Sequence, residues 1–363
     1  MHIKLDIRQP APLTSPKPAV TEPNYPSKKL YPNLPVPLSY LKLCLLEAGY
    51  GSAADIRKEL KASKQIRQQL NSVLTARWNL LLPVLESVSG TPHKWKPAWK
   101  FLETSEKVAP SFLLGSAAAY IAIIHGLPQT HPGRKVRRIY HSRIYANPSS
   151  CKAPVNLIFN GKKRPDYIVL DNLGGLHILE AKGLSQGTVW KAAATGMEQA
   201  MNISAVGFVL PPPPPVSYNV AVTISTMSCV KTLLVDPPGE EAPSGDRHGN
   251  LPLNQTGLDL VFFAAVCDTF DALGKEDAEV RKTRAEGRWL ATKVLPEIGL
   301  TVGIDFWLWT KRSLIEHFVT ANQVTFETLE GTSGFVEPDQ ARQDDAGSDA
   351  DDTFDQKIGR AHV

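Results

Sequence analysis

Cysteine is scarce in this chain: four in 363 residues, at positions 44, 151, 229 and 267, with no Cys-x-x-Cys pair and no histidine at metal-ligand spacing. That dispersal suggests neither a disulfide framework nor a zinc site and points to a reducing, cytoplasmic compartment. No glycine-rich Walker loop occurs, which removes the usual mark of an NTPase. The amino terminus, MHIKLDIRQPAP, lacks the apolar core and cleavage signature of a secretory leader. One run, Ser111–Leu127, is apolar enough to raise the question of a membrane span. It is at the short limit for crossing hydrocarbon and is interrupted by Gly115, Ser116 and His125, so a buried core helix and no membrane partner are expected.

Excess charge of either sign is also missing. The formal net charge is +4 with 21% charged residues, which fits neither a histone-like binder nor an acidic disordered chain. The distribution is uneven, however. From Gly126 to Pro165 there is no Asp or Glu, while Arg134, Lys135, Arg137, Arg138, Arg143, Lys152, Lys162, Lys163 and Arg164 all fall there. Such a stretch suits a polyanion, because neutralising phosphates releases counterions; its plainer reading is a solvated basic loop. Tyr140 and Tyr145 are interleaved with these cations, and the expected partner is nucleic acid.

With 42% hydrophobic residues the chain can bury one sizeable core and a smaller satellite. Residues 1–36, rich in Pro, Lys and Ser, read as a flexible arm. Residues 37–105 read as a helical region, with Leu60, Ile66, Leu70, Val73 and Leu74 at three-to-four spacing. Residues 106–235 carry the core. A helix is expected from Pro110 to just before Pro128, then strands over 136–145, 156–159, 167–170 and 176–180, a helix over 188–203, and strands over 218–226 and 231–235. The prolines at 211–215 read as a stiff polyproline II connector. Residues 255–330 read as helical, with Arg281, Arg284 and Arg288 on one helix face. Residues 331–363 read as an acidic disordered tail. Its end, KIGRAHV, matches the in-frame translation of a sequencing adapter; it is expected to be a scar, with the native C-terminus missing.

Residues 161–183, GKKRPDYIVLDNLGGLHILEAKG, carry the chemistry. As strands they alternate: Asp166, Ile168 and Leu170 share one face, and Ile178, Glu180 and Lys182 share one face of the next strand. Asn172, Leu173 and Gly174 make a three-residue hairpin loop if Asp171 stands opposite Gly175, with Gly174 left-handed. That register puts Asp166 across from Glu180 and gathers two carboxylates and an ammonium at the hairpin's open end. Two carboxylates can hold a divalent cation through hard oxygens, and a lysine can orient water and offset phosphate charge. The Ala181 carbonyl is a candidate third metal ligand. His177 faces the other way and reads as a packed or surface residue, and Asp171 reads as a turn residue. A second Glu-x-Lys, Glu59-Leu60-Lys61, sits in a helical run without an upstream Pro-Asp and is discounted.

Pro165-Asp166 and Glu180-Ala181-Lys182 on adjacent strands resemble the signature of the PD-(D/E)XK nuclease superfamily, over about 130 residues counted by the expected element order. The resemblance implies an α/β fold with a restriction-endonuclease-like mixed sheet flanked by helices, here with helical N- and C-terminal additions. It implies Mg²⁺- or Mn²⁺-dependent endonuclease hydrolysis of DNA, with Asp166, Glu180 and Ala181 holding the metal and Lys182 assisting the nucleophile. Gln199, in TGMEQAMNI, resembles a polar helix residue placed beside the site in some branches. The aromatic that often follows it is missing, as is an acid within 111–127; Glu103 or Glu106 substitutes only if that helix starts earlier. Symmetric double-strand cutting would require two such sites, and a homodimer is one way to supply them. The competing expectation is a catalytically inactive nuclease-fold subunit that binds nucleic acid or serves assembly.

Overall fold

A computed structural model describes residues 1–9, 27–47, 64–142, 156–159, 164–207, 215–236, 267, 270–271, 279–285, 288–295 and 300–314. The elements follow in chain order. β1 (His2–Arg8), β2 (Ser27–Pro35), α1 (Leu38–Glu47) and α2 (Lys64–Leu81) precede a short pair, β3 (Leu85–Glu86) and β4 (Lys94–Trp95). Next come α3 (Thr104–Thr130), β5 (Val136–His141), β6 (Asn156–Phe159), β7 (Tyr167–Asp171), β8 (Leu176–Leu184) and α4 (Val189–Ala200). β9 (Ile203–Gly207), β10 (Ser217–Ser225), β11 (Val230–Val235), β12 (Arg281–Ala285), β13 (Arg288–Leu295), β14 (Leu300–Asp305) and α5 (Phe306–Thr310) complete the described chain.

A seven-stranded mixed sheet, ordered β2-β1-β11-β10-β8-β7-β5, forms the centre of an α/β fold. β5, β7 and β8 run antiparallel in turn, and β10 joins β8 in parallel. The α4 crossover between β8 and β10 supplies the connection that a parallel pair requires. α3 covers one face and α4 the other. Gly183 of β8 meets α3 so closely that a Cβ there would lie 1.8 Å from the Ser111 carbonyl oxygen. On the opposite face, a Cβ on Gly196 of α4 would lie 2.6 Å from Val220 and 3.5 Å from both Glu180 and Lys182 side chains. The two glycines let helix backbones press on the same short segment of β8 from both sides.

Several elements differ from the sequence expectations. Residues 2–8, read as part of a flexible arm, are β1, parallel to β11, with Ile3, Leu5 and Ile7 fully buried. The period-two pattern of those three residues is brief and followed by prolines, which hid it. α3 begins six residues before Pro110 and runs past Pro128, because Glu103 and Glu106 form a capping box. Burial of the Leu113–Ile123 segment outweighs the hydrogen bond each internal proline removes. α3 meets the length and composition needed to cross a bilayer, and 72% of its apolar window is buried within the fold. β6 pairs with β9 outside the main sheet.

The expected helical region around 281–305 is instead the antiparallel sheet β12-β13-β14. Ala291 and Leu295 share one face of β13 with the buried Lys293, Leu300, Val302 and Ile304 share one face of β14, and all five apolar residues are buried. Arg281 and Arg284, expected on one helix face with Arg288, therefore lie on opposite faces of a strand. Residues 211–214 of the proline run, 331–363 with their terminal KIGRAHV, and the decoy Glu59-Leu60-Lys61 lie outside the described residues.

Candidate active site

The β7–β8 hairpin has the register that the alternation predicts. Tyr167 pairs with Leu179 and Ile168 with Ile178, the Asp171 amide donates to the Gly175 carbonyl at 2.9 Å, and Gly174 has φ +80°. Continued one residue toward the open end, this register sets Asp166 opposite Glu180. The Asp166 N–H donates to Glu180 Oε2 at 3.1 Å, and the Ala181 N–H donates to Asp166 Oδ2 at 3.0 Å. One residue further, Pro165 stands opposite Ala181. Proline has no N–H, so the Ala181 carbonyl receives no ladder donor from that strand. The Pro165 carbonyl is held by the Ser142 hydroxyl, and the Ser142 N–H donates to the Asp166 carbonyl at 2.8 Å.

Lys182 lies on the same face as Glu180. Its Nζ donates to Glu180 Oε1 at 2.5 Å and to Gln199 Oε1 at 2.9 Å. Gln199 in turn donates from Nε2 to the Arg164 carbonyl at 3.0 Å, tying α4 to the segment that leads into β7. Glu180 is 1% exposed. Burial and then the adjacent Asp166 charge push its carboxyl up to about 7, against the opposing pull of Lys182. Burial also raises Asp166, offset in part by the Ala181 amide and Lys182. Two mutually repelling carboxylates under-compensated by one ammonium form an environment that a further cation would relieve. The donor set, two carboxylates and a backbone carbonyl, is all hard oxygen and fits Mg²⁺ or Mn²⁺ better than a thiophilic metal. Among the described residues no three His, Cys, Asp or Glu side chains gather as a metal site. A cation at Asp166 and Glu180 would therefore complete its shell with backbone, water and substrate oxygens.

The other sequence candidates scatter. α3 does start earlier, with Glu103 at its N-cap and Glu106 in its first turn, but both are exposed and engaged in the capping box. Arg134 is bound to Asp171, and the Lys135 N–H donates to Asn172 Oδ1 at 2.6 Å. Both thus sit at the hairpin tip, five residues along β7 from Asp166, or roughly 16 Å at strand rise. Arg138 lies beside Leu170 near the same end and donates to the Arg137 carbonyl at 2.9 Å; Arg137 is exposed on β5. Arg164 is exposed next to the site. Arg143, Lys162 and Lys163 lie outside the described residues.

A second polar constellation was not legible from spacing. His177 Nδ1 is 2.8 Å from Ser217 Oγ, and its Nε2 is 3.0 Å from Asp171 Oδ2. The order Ser-His-Asp is that of a nucleophilic triad, but all three residues are 0% exposed, so no substrate reaches the serine. Burial lowers the His177 pKa and keeps the ring neutral. For Asp171 burial acts upward, but donors from His177, Arg134 and the Gly175 amide override it and hold the carboxyl at about 2. This cluster is a structural layer on the α3 face. No protein-family profile, curated protein or solved structure matches the chain.

Proposed function

We propose that the chain is a metal-dependent nuclease of the PD-(D/E)XK type, with a restriction-endonuclease-like core, that hydrolyses phosphodiester bonds of DNA. The observation that carries this reading is the convergence of Asp166, Glu180 and Lys182 at the open end of one hairpin, with the Glu180 carboxylate 2.5 Å from the Lys182 ammonium. The order α3–β5–β7–β8–α4–β10, with its antiparallel meander and parallel fourth strand, agrees with the core that the motif implies.

Asp166, Glu180 and the Ala181 carbonyl are the groups that would hold the ion. When bound, Mg²⁺ or Mn²⁺ supplies Lewis-acid stabilisation of phosphate charge and a more acidic water. Lys182, steered by Glu180 and Gln199, places an ammonium where it orients the attacking water and offsets charge on the phosphate in the transition state. Gln199 is a positioning residue: it fixes Lys182 and links it to the Arg164 carbonyl. The buried floor of the site limits water around Glu180 and strengthens each of these interactions.

The test is cleavage of supercoiled plasmid by purified protein with Mg²⁺, beside Asp166→Ala and Lys182→Ala. Activity in the wild type and its loss in both variants supports the proposal. Equal inertness of all three, with DNA binding retained, overturns catalysis and leaves the non-catalytic subunit.

A further inference from the structure

The Arg134 and Lys135 end of the basic stretch lies at the hairpin tip, away from Asp166 and Glu180, whereas Lys182 starts a cationic track at the site itself. A cleft opens directly from Lys182 along the start of α4, lined by Lys182, Gln186, Thr188, Lys191 and Thr195 among others, with no acidic side chain among the described residues of its wall. Thr188, Lys191, Ala192 and Thr195 are spaced i, i+3, i+4 and i+7 and so form one stripe of the helix. The Thr188 hydroxyl makes no cap bond to the helix. Lys182 is engaged by Glu180, whereas the exposed Lys191 enters no ion pair among the described residues. The positive end of the α4 dipole reinforces the same sign of potential at the cleft mouth.

We propose that this cleft holds the sugar-phosphate backbone of the substrate strand beside the cleaved bond, and that Lys191 binds a neighbouring phosphate. The inference rests on the nuclease reading and refines it by setting the strand's path along α4 rather than over the hairpin tip. Continuity with Lys182 puts the next phosphates of a strand reacting at Asp166 and Glu180 within this cleft. An ammonium and neutral hydroxyl and amide donors are the groups that hold a backbone without reading its sequence.

The experiment measures binding of a fluorescent DNA duplex by full-length Asp166→Ala protein across a salt series, with and without Lys191→Gln or Lys191→Glu. The exposed Lys29→Glu, on edge strand β2, serves as the charge control. Lys191→Gln is expected to weaken binding by about threefold to tenfold and to flatten the log–log salt slope by about one, the signature of one lost phosphate contact. Lys191→Glu should act further in the same direction, and Lys29→Glu should change neither quantity. Unchanged affinity and slope in both Lys191 variants overturn the inference while wild-type cleavage keeps the nuclease reading. If the wild type neither cleaves nor binds DNA, the nuclease reading fails and takes this inference with it.

Discussion

The backbone N–H of Asp166 donates to the Glu180 carboxylate at 3.1 Å, while the Asp166 carboxylate accepts from the Ala181 N–H at 3.0 Å. Each acid is thus held by the backbone of the opposite strand, and the pair is positioned by ladder register. Register is hard to shift here, because a one-residue slip would turn Glu180 toward α3 and expel Ile178 and Ile168 from their face.

Removing Lys182 should separate chemistry from folding. In Lys182→Ala the Glu180 carboxyl loses its ammonium, and its pKa, already about 7, moves higher. At neutral pH the carboxyl can then take a proton instead of remaining a buried bare charge. Mg²⁺-dependent cleavage is expected to fall by about a hundredfold or more, as when a preorganised charge partner is lost. The melting temperature should stay within several degrees of wild type. Retained cleavage by this variant would remove Lys182 from the mechanism.

The metal-free site should make stability depend on pH in a definite direction. The Glu180 carboxyl, ordinarily at 4.5, is raised to about 7 in the fold. The folded chain binds the proton more tightly, so this group's contribution is complete below pH 4.5 and is lost as pH rises toward 7. His177, with its lowered pKa, acts in the opposite sense, so the comparison must be between wild type and Glu180→Gln. Without metal, the variant should be the more stable of the two at pH 8, by roughly 1–3 kcal/mol, with the difference shrinking toward pH 5. Saturating Mg²⁺ should stabilise the wild type by mass action and leave Glu180→Gln little changed. Denaturant titrations at both pH values provide the check; a pH-independent difference would show that Glu180 titrates normally.

The hairpin was readable because period-two alternation, a DNLGG turn and parity of pairing are all local properties of residues 166–182. The same is true of α4 and β10. β1 was not readable, because Ile3, Leu5 and Ile7 acquire meaning only through β11, more than two hundred residues away in the chain. Likewise the charge run 134–138 is visible in sequence, but Arg134 is neutralised by Asp171, a contact set by the turn that ends the hairpin. Offsets of three and seven favour one helix face for Arg281, Arg284 and Arg288; the β12–β13 and β13–β14 ladders, with Ala291, Leu295, Val302 and Ile304 buried, decide for strands.

Gly183 is expected to tolerate no side chain. An added methyl would lie 1.8 Å from the Ser111 carbonyl oxygen and 2.9 Å from the Phe112 Cα, both backbone atoms of α3. The helix must move off β8, so Gly183→Ala should cost about 3 kcal/mol or more, at the upper end of overpacking effects. Gly196→Ala meets the Val220 side chain, which can rotate aside, and should cost less. Urea unfolding of the two variants tests the order, and a larger loss at Gly196 would contradict the backbone-contact argument.

Asp236 offers the sharpest test of the buried polar layer. Its carboxylate is 0% exposed and lies 3.0 Å from His131 Nε2. The approach meets ion-pair distance when the imidazole is protonated, its angles do not make a hydrogen bond, and among the described residues neither carboxylate oxygen has another partner. Its own N–H donates to the Arg8 carbonyl at 3.0 Å and so continues the β1–β11 ladder. Breaking a buried pair from one side leaves an uncompensated charge, whereas removing the charge itself costs little. His131→Ala should therefore destabilise the fold by about 2–4 kcal/mol at pH 7, and Asp236→Asn by less. The double variant should recover most of the His131→Ala loss, giving a coupling energy of opposite sign to the single loss. Strictly additive unfolding energies in this cycle would mean that His131 and Asp236 do not interact in solution.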